Sequence, residues 1–234
     1  MAPTYVSLGD SMSIDDYAGG PGRGAASLLN RNRDDDFPDW AGRDLRGLTA
    51  RHLARDGATT SDVLYSQLPT VDEPPALVTI SMGGNDLLIA FGNTAAAEVA
   101  IHTVVALGHG VLGRLRQLAG AVPIVVTTVY DPSDGLGVIG DSDSLSWPDG
   151  PALIQMLNDE LAKLAGTYDA LVADVYSHFL GHGQRQGDVA QLDARPTDRD
   201  MWYCGLIEPN AWGAHQIRTV WWQTLHDAGW PPAA

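Results

Sequence analysis

The residues best suited to chemistry near the start of the chain are Asp10 and Ser11, within the sequence Gly-Asp-Ser-Met at positions 9–12. They directly follow a short apolar run, Tyr5–Leu8, that is typical of a β-strand. A strand that ends in Gly-Asp-Ser and turns into a helix carries the serine hydroxyl to the carboxyl edge of a parallel sheet, where backbone N–H groups stabilise an oxyanion. The pattern predicts a nucleophile at Ser11, although Asp and Ser also cap ordinary helices.

Two later segments supply hydrogen-bond donors that an acyl-transfer serine requires. Gly57 begins the sequence Gly-Ala-Thr-Thr-Ser-Asp, which follows a predicted second strand and opens a helix, so its amide would face the same crevice. Asn85 lies in Ser-Met-Gly-Gly-Asn-Asp at positions 81–86, directly after a strand-like run at 75–80. Its side-chain amide is therefore predicted at a strand's carboxyl end, where it converges with the amides of Ser11 and Gly57.

These three blocks, in this order, resemble those of the GDSL lipase/esterase family, also called SGNH hydrolases. Ser11 matches the family's nucleophile, Gly57 its glycine donor and Asn85 its asparagine donor. The resemblance runs from the first strand to the last helix. It implies a serine esterase that hydrolyses carboxylic esters, with short acyl or O-acetyl groups, through an acyl-enzyme on Ser11.

The fourth block departs from the family pattern. There the family has an aspartate and, three residues later, a histidine followed by Pro-Asn; the histidine is the general base and the aspartate orients it. In this chain Glu208 stands at the histidine position and Gly205 at the aspartate position, with Pro-Asn following at 209–210. A carboxylate of ordinary pKa, about 4.3, is a poorer base at neutral pH than imidazole at about 6.5. We expect burial beside neighbouring aromatic residues to raise the pKa of Glu208, so that it can accept the Ser11 proton.

Two alternatives to Glu208 as the base stay open. Glu208 could cap a helix beginning at Pro209, where the helix dipole favours a carboxylate, and take no part in proton transfer. Among the seven histidines, His182 is the best substitute because it follows the predicted fifth strand on a loop, although it could equally bond to backbone carbonyls. His215 is discounted, since two helical turns would place it roughly 10 Å from the loop.

Apolar runs alternate with amphipathic stretches along the whole chain. We predict strands at 4–8, 49–54, 77–81, 124–130 and 171–174, and helices at about 39–45, 61–67, 94–119, 151–165 and 209–228. This alternation predicts an α/β fold, a single domain over residues 1–234 with a doubly wound parallel sheet and helices on both faces. The resemblance implies the flavodoxin-like three-layer α/β/α order 2-1-3-4-5, whose crevice lies where Ser11, Gly57 and Asn85 fall.

Composition excludes several classes of partner. The chain has 29 acidic and 14 basic residues, a net charge of −15, which disfavours nucleic acid and anionic membranes. The lone Cys204 excludes an internal disulfide, and we see neither a secretion signal nor a run long enough to span a bilayer, so we expect a cytoplasmic protein. We predict no metal and no cofactor, and we interpret the acidic run at 34–36 as a solvated loop. The expected partner is a small-molecule ester; the sequence does not define an oligomeric state.

Two loops at the predicted crevice are candidates for substrate contact. Residues 131–147 form a connection long enough to act as a lid. Residues 183–202 carry Arg185, Arg195 and Arg199, which could meet a substrate carboxylate, and Trp212 lies close enough to line an acyl pocket. Two further functions stay open: an inactive, SGNH-like binding protein, and a carbohydrate O-deacetylase or acyltransferase on the same scaffold.

Overall fold

A five-stranded parallel sheet forms the centre of the computed structural model, which describes residues 3–139, 145–186 and 200–230. The strands are β1 (Thr4–Leu8), β2 (Thr49–His52), β3 (Leu77–Ser81), β4 (Ile124–Thr127) and β5 (Leu171–Ala173). Their order is β2-β1-β3-β4-β5, and every neighbouring pair is parallel. The strand order implied by the family resemblance is therefore confirmed, and all five carboxyl ends lie at one edge.

Helices cover both faces of the sheet, as predicted. They are α1 (Ala25–Asn30), α2 (Thr60–Asp62), α3 (Gly84–Ile89), α4 (Thr94–Ala119), α5 (Gly150–Thr167), α6 (Val175–Phe179) and α7 (Ala211–Asp227). Helix α2 continues as a π-helical turn, Val63–Gln67, and a 3₁₀ turn, Leu68–Thr70. Helices α4 and α5 pack together on one face, and α1 packs with α7 on the other.

Alternation along the strands divides the apolar side chains between two cores. Val6 and Val78 belong to the core beneath α4 and α5, whereas Tyr5 and Leu77, the residues preceding them, belong to the core beneath α1 and α7. Successive side chains of a strand point to opposite faces, so a sheet covered on both faces needs apolar residues at consecutive positions. The continuous apolar runs in the sequence are a consequence of this double burial.

Helix α4 has the predicted bounds, but it corrects one expectation. Within the described ranges it is long and apolar enough to cross a membrane by length and composition, contrary to our reading that no run reaches that length. Residues along one side of it, including Ile101, Val104 and Leu112, are buried in the core against the sheet. A core helix meets the same criteria of length and composition, so they do not identify a membrane segment here.

Several predicted elements are shorter than expected. The strands predicted at 49–54 and 171–174 end at His52 and Ala173. The helix predicted at 39–45 is wrong, because only the 3₁₀ turn Pro38–Trp40 forms and Gly42 follows it with a φ of +81°. The fourth strand ends at Thr127 instead of Tyr130. Beyond it, the backbone N–H and C=O of Val129 pair with the side-chain amide of Asn158, at 2.7 and 2.8 Å, and not with a neighbouring strand.

The last helix begins at Ala211 and not at the predicted Pro209. The side-chain oxygen of Asn210 caps it by accepting hydrogen bonds from the backbone amides of Trp212 and Gly213, at 3.0 and 2.9 Å. Glu208–Pro209 instead forms a short strand, β7, antiparallel to β6 (Tyr203–Cys204). The alternative in which Glu208 caps this helix is therefore wrong.

Candidate active site

The turn that presents Ser11 depends on the glycine before it. Gly9 has a φ of +122°, and a Cβ at this position would lie 2.2 Å from the hydroxyl oxygen of Ser81 on β3. Only glycine fits here. The helix expected directly after Ser11 is wrong: residues 9–24 form turns and bends, and α1 begins at Ala25. The serine thus lies in a turn closed by a hydrogen bond from Ser13 N to Asp10 O of 3.1 Å, without a helix dipole behind it.

Gln67 fixes the backbone of this turn from outside the motif. Its Oε1 accepts from the Gly9 amide at 2.8 Å, and its Nε2 donates to the Gly9 carbonyl oxygen at 2.8 Å. Gln67 is buried at the end of the π-helical turn after α2. No local pattern marks this residue, because its partner lies 58 positions away in the sequence.

Replacement of Gln67 by an apolar side chain of similar length should test this role. We expect Gln67→Met to lower the free energy of unfolding by about 2 kcal/mol, because it leaves the buried Gly9 amide without an acceptor. The Gly9 carbonyl oxygen loses one of two hydrogen bonds and keeps the one from the Arg55 amide, at 3.0 Å. Urea denaturation measures the effect. Gln155→Met is the control, since this exposed glutamine donates only to the Tyr176 hydroxyl; equal destabilisation by both substitutions would contradict the role.

Asp10 is buried beside the nucleophile and connects β1 to β3. Its Oδ1 accepts from the Ser81 hydroxyl at 2.7 Å and from the Met12 amide at 3.1 Å. Burial raises the pKa of Asp10, while the hydrogen bonds from Ser81 and Met12 oppose the shift. Together with Gln67, these bonds leave the Ser11 turn little freedom.

The three predicted oxyanion donors lie on adjacent loops. Within the described part of the chain, neither the Ser11 amide nor the Gly57 amide donates a hydrogen bond to another group. Asn85 Nδ2 donates to the carbonyl oxygen of Ala58 at 3.0 Å, which uses one of its two N–H groups. Unused donors at the edge of a sheet are what a site for a developing negative charge requires.

The loops that carry Gly57 and Asn85 are also joined by a second contact. The Asp86 carboxylate accepts from the backbone amide of Thr60, at 2.9 Å, and from its hydroxyl, at 3.0 Å. Thr59 caps α2 through a reciprocal pair of hydrogen bonds with Asp62. The segment around Gly57 is therefore held by its neighbours on both sides.

Glu208 is held beside the site by the β6–β7 hairpin. It lies opposite Cys204, and Gly205 forms the turn between the two strands with a φ of +59°. Tyr130, which lines the same cavity, donates its hydroxyl to the carbonyl oxygen of Ile207 at 2.8 Å. A left-handed turn favours glycine, so the family's aspartate position here serves the hairpin and offers no carboxylate.

The environment of Glu208 shifts its pKa upward. Burial is the main cause, the nearby Ser11 hydroxyl opposes the shift by favouring the ionised form, and the charges of Asp56 and Asp10 add to it. Its Oε2 is buried and accepts no hydrogen bond from the described residues. Glu208 is thus a partly desolvated carboxylate next to a serine hydroxyl, and its Oε2 has no orienting donor among the residues that the structure describes.

The two histidines weighed as bases lie elsewhere. The ring of His182 stacks on Trp202, with centroids 3.3 Å apart, and its Nδ1 lies 2.9 Å from the carbonyl oxygen of Asp200. His215 stacks on Phe37 at 4.0 Å, and burial and the charge of Arg218 lower its pKa to about 3. Of the histidines that the structure describes, none lines the cavity that contains Ser11.

The structure also shows where Trp212 and Arg185, two further candidates for substrate contact, lie. Trp212 packs against Phe37 and His215, away from the cavity. The backbone amide of Arg185 donates to Asp134 at 2.6 Å, whereas Arg195 and Arg199 lie outside the described residues. In the described ranges, no cluster of three or more His, Cys, Asp or Glu side chains could hold a metal ion.

One cavity, of about 780 Å³ including its open mouth, brings the central residues together. Ser11, Asn85, Asp10 and Glu208 all line it, and Gly57 stands next to Ala58, which Asn85 contacts. Described parts of the loop predicted as a lid, on either side of residues 140–144, contribute to its wall.

This sheet order, with a serine, a glycine amide and an asparagine amide on successive loops at its carboxyl edge, defines the scaffold of an SGNH hydrolase. The model of the GDSL-like lipase/acylhydrolase family matches residues 7–214, and the chain belongs to that family. Membership supports ester hydrolysis as the class of reaction and a small-molecule ester as the class of substrate.

Solved structures share the fold over nearly their whole length. An extracellular lipase from Streptomyces rimosus is 25% identical, with a TM-score of 0.62 over 95% of this chain and 100% of the lipase. Phospholipase A1 from Streptomyces albidoflavus is 21% identical, with a TM-score of 0.59 over 96% and 100%. The acetylxylan esterase Axe2 from Geobacillus stearothermophilus is 13% identical, with a TM-score of 0.59 over 95% and 93%. No curated protein matched the sequence.

Proposed function

We propose that this chain is a serine esterase that hydrolyses carboxylic esters through an acyl-enzyme on Ser11. One observation carries the proposal: Ser11 lines the same cavity as Asn85 and Glu208. The Ser11 hydroxyl is close enough to Glu208 to affect the pKa of that carboxyl group. A nucleophile, a base and an oxyanion donor are the groups that acyl transfer needs.

In the proposed reaction, Ser11 Oγ attacks the ester carbonyl carbon while Glu208 accepts the hydroxyl proton. The carbonyl electron pair moves to oxygen, which the amides of Ser11 and Gly57 and the Asn85 side chain stabilise. As the carbonyl re-forms, the bond to the alcohol oxygen breaks, and Glu208 returns the proton to that oxygen. Water then attacks the acyl-enzyme with the same assistance and releases the acid.

Burial makes Glu208 better suited to this task than an exposed carboxylate. An ordinary glutamate, with a pKa of about 4.3, is too weak a base to take a serine proton efficiently at neutral pH. Desolvation and the charges of Asp56 and Asp10 raise the pKa of Glu208 and so bring it closer to the working pH. The unpartnered Oε2 supports the proposal further, because it is an acceptor that no structural hydrogen bond occupies.

Loss of one oxyanion donor tests the proposal. We expect Asn85→Ala to lower kcat for a simple ester by about 10²–10³-fold, with a much smaller change in KM, because the donor acts mainly on the transition state. Steady-state hydrolysis of p-nitrophenyl esters, corrected for the rate in buffer, measures this loss.

A matched control is Asn93→Ala, the same substitution at an asparagine that makes a structural hydrogen bond. Asn93 caps α4 by accepting from the Ala96 amide at 3.1 Å and does not line the cavity. It should cost about 1 kcal/mol of stability and leave kcat unchanged. Equal rates in wild type and Asn85→Ala would contradict the proposed oxyanion site. A wild type with no turnover above buffer would favour the alternative of a binding protein.

A further inference from the structure

We propose that Tyr130 is the residue that positions Glu208 beside Ser11. It does so through the backbone, by holding the strand that carries Glu208 against the loop that follows β4. This inference rests on the proposed esterase function and adds a positioning residue to it. The aspartate that orients the base in the family pattern has no counterpart here, because Gly205 takes its place.

The β6–β7 hairpin holds Glu208 only weakly by itself. Each strand has two residues, and the partner of Tyr203 in β7 is Pro209, which has no backbone N–H to donate. A two-stranded hairpin is at best marginally stable in isolation. Gly205 and Leu206, between the strands, are exposed. The position of Glu208 therefore depends on contacts that the hairpin makes with the rest of the protein.

A hydrogen bond from Tyr130 connects this hairpin to the loop after β4. The Tyr130 hydroxyl donates to the carbonyl oxygen of Ile207 at 2.8 Å, across 77 positions of the sequence. Ile207 directly precedes Glu208, so the bond fixes the chain one residue from the proposed base. The described residues form no other hydrogen bond with this carbonyl oxygen.

A second link between the hairpin and a distant loop is weaker. Cys204 Sγ donates to the carbonyl oxygen of Tyr17 at 3.5 Å, and a thiol is a poor donor. Apart from these two bonds and the contact between Glu208 and Ser11, the described part of the chain offers the hairpin no hydrogen bond to a distant segment. Tyr130 therefore donates the stronger of the two bonds that hold the hairpin in place.

Aromatic packing gives the Tyr130 hydroxyl a fixed position. The ring stacks on Phe179, with centroids 5.2 Å apart and 13° between the ring planes, and it meets Tyr203 edge to face at 5.1 Å. Tyr130 and Phe179 are both buried. A buried ring with aromatic neighbours at its face and its edge has little freedom to rotate. The hydroxyl is thus a rigid anchor for the strand that carries Glu208.

The Tyr130 hydroxyl keeps its proton over the pH range in which Glu208 ionises. Burial raises the pKa of Tyr130 well above its ordinary value, and the charges of Glu208 and Asp10 add to the shift. The acidic limb of kcat/KM can therefore report on Glu208 without a contribution from Tyr130. The remaining titratable groups that interact with Glu208 are Asp56, Tyr17 and Cys204.

Loss of the Tyr130 hydroxyl should impair proton transfer more than substrate binding. Glu208 has to lie within hydrogen-bonding distance of Ser11 Oγ, and a displacement of about 1 Å can cost roughly 10²-fold in rate. Tyr130→Phe keeps the ring that lines the cavity and removes the bond to Ile207. We expect kcat for p-nitrophenyl esters to fall by about 10–10²-fold, with little change in KM.

Tyr5→Phe is the matched control for the loss of a buried tyrosine hydroxyl. Tyr5 is fully buried in β1, its hydroxyl forms a hydrogen bond of 2.8 Å with that of Thr79, and it does not line the cavity. Both variants should have a lower Tm than the wild type, because each loses one buried hydrogen bond. Only Tyr130→Phe should lose kcat. An unchanged kcat in Tyr130→Phe, or the same loss of kcat in both variants, would overturn the proposal.

The pH profile separates positioning from a general structural role. Without its anchor, the strand should expose the Glu208 carboxyl group more to water, which reduces the desolvation that raises its pKa. The acidic limb of kcat/KM should therefore move to lower pH in Tyr130→Phe and stay in place in Tyr5→Phe. Identical limbs in the two variants would contradict a displacement of the carboxyl group.

A double variant tests whether Tyr130 acts through Glu208. In the Glu208→Gln background no carboxylate accepts the Ser11 proton, so adding Tyr130→Phe should change kcat by less than about twofold. A further loss of about 10-fold or more in that background would show that Tyr130 acts on another group, and the positioning role would be wrong.

The failure of this inference is distinct from the failure of the proposed function. If Glu208→Gln loses activity while Tyr130→Phe keeps the wild-type kcat, the esterase mechanism stands and the positioning role is rejected. A wild-type rate in Glu208→Gln would reject both the base and its positioning residue, and absence of Ser11-dependent hydrolysis would reject the whole mechanism.

Discussion

Ser11→Ala should abolish ester hydrolysis almost completely, with a loss in kcat of about 10⁴–10⁶-fold. The reason is that Ser11 Oγ is the atom proposed to form the acyl bond. The residual rate should come only from the oxyanion donors and the bound ester. Steady-state hydrolysis of p-nitrophenyl esters, corrected for the rate in buffer, measures the loss.

Covalent labelling gives a second, independent measurement of the same prediction. A fluorophosphonate probe should add one adduct to the wild-type chain by intact-mass spectrometry, and peptide mapping should place it on Ser11. Ser13→Ala is a close control: Ser13 lies in the same turn and is buried, and its hydroxyl makes no hydrogen bond with the described residues. That variant should keep both adduct and rate. Full labelling of Ser11→Ala would show that another residue is the nucleophile.

The sheet and the positions of its three donor loops could be predicted because both depend on local sequence. Apolar runs such as Leu77–Ser81 are long enough to indicate doubly covered strands, and parallel strands bring their carboxyl ends to one edge. Gly9 and Gly57 have positive φ angles, of +122° and +67°, so a glycine pattern marks these turns before the structure is known. Asn85 follows its strand directly, which fixes its approximate place.

The parts that could not be predicted depend on partners distant in sequence. Gln67 holds Gly9 across 58 positions, and Ser81 binds Asp10 across 71. Val129 leaves the fourth strand because Asn158, on α5, satisfies its backbone. No periodic pattern in the sequence indicates which distant residues form such hydrogen bonds. The start of the last helix was misplaced for a different reason: Pro209 is acceptable at a first helical position, but Asn210 is the stronger cap.

The pairing of β6 with β7 determines the surroundings of Glu208, the proposed base. It places Glu208 opposite Cys204 with its carboxyl group partly removed from water. Burial, followed by the charge of Glu208, raises the pKa of the Cys204 thiol. The hydrogen bond to Asp56 is the main cause of the raised pKa of the Tyr17 hydroxyl, to which the charge of Glu208 also contributes. The pKa of Glu208 itself is shifted by burial, by the Ser11 hydroxyl and by the charges of Asp56 and Asp10.

Glu208→Gln should lower kcat by about 10²–10⁴-fold, because the amide keeps the shape of the side chain but cannot accept the Ser11 proton. The fold should remain, since Oε2 holds no structural hydrogen bond within the described residues. Glu98→Gln, at an exposed position of α4, is the control for loss of one negative charge. If Glu208→Gln retains the wild-type rate in the ester assay, Glu208 is not the base.

The pH dependence of kcat/KM for the wild type should also reflect proton transfer to Glu208. Glu208 acts as a base only when ionised, so kcat/KM should fall as pH decreases through its pKa, which is raised above the ordinary glutamate value. Asp56→Asn removes a charge that raises this pKa, and should move the acidic limb of the profile to lower pH. In the control variant Glu98→Gln, the acidic limb should stay at the same pH as in the wild type.

Stability should change with pH in the opposite sense to activity. A carboxyl whose pKa is raised by folding binds its proton more tightly in the folded state. Its contribution to stability is therefore complete below the unfolded pKa and is lost as pH rises through the folded pKa. Glu208→Gln removes this loss, so at pH 8 the inactive variant should have a higher Tm than the wild type, and the difference should shrink near pH 4. A lower Tm for the variant at pH 8 would mean that the ionised carboxylate stabilises the folded hairpin, which would contradict the raised pKa of Glu208.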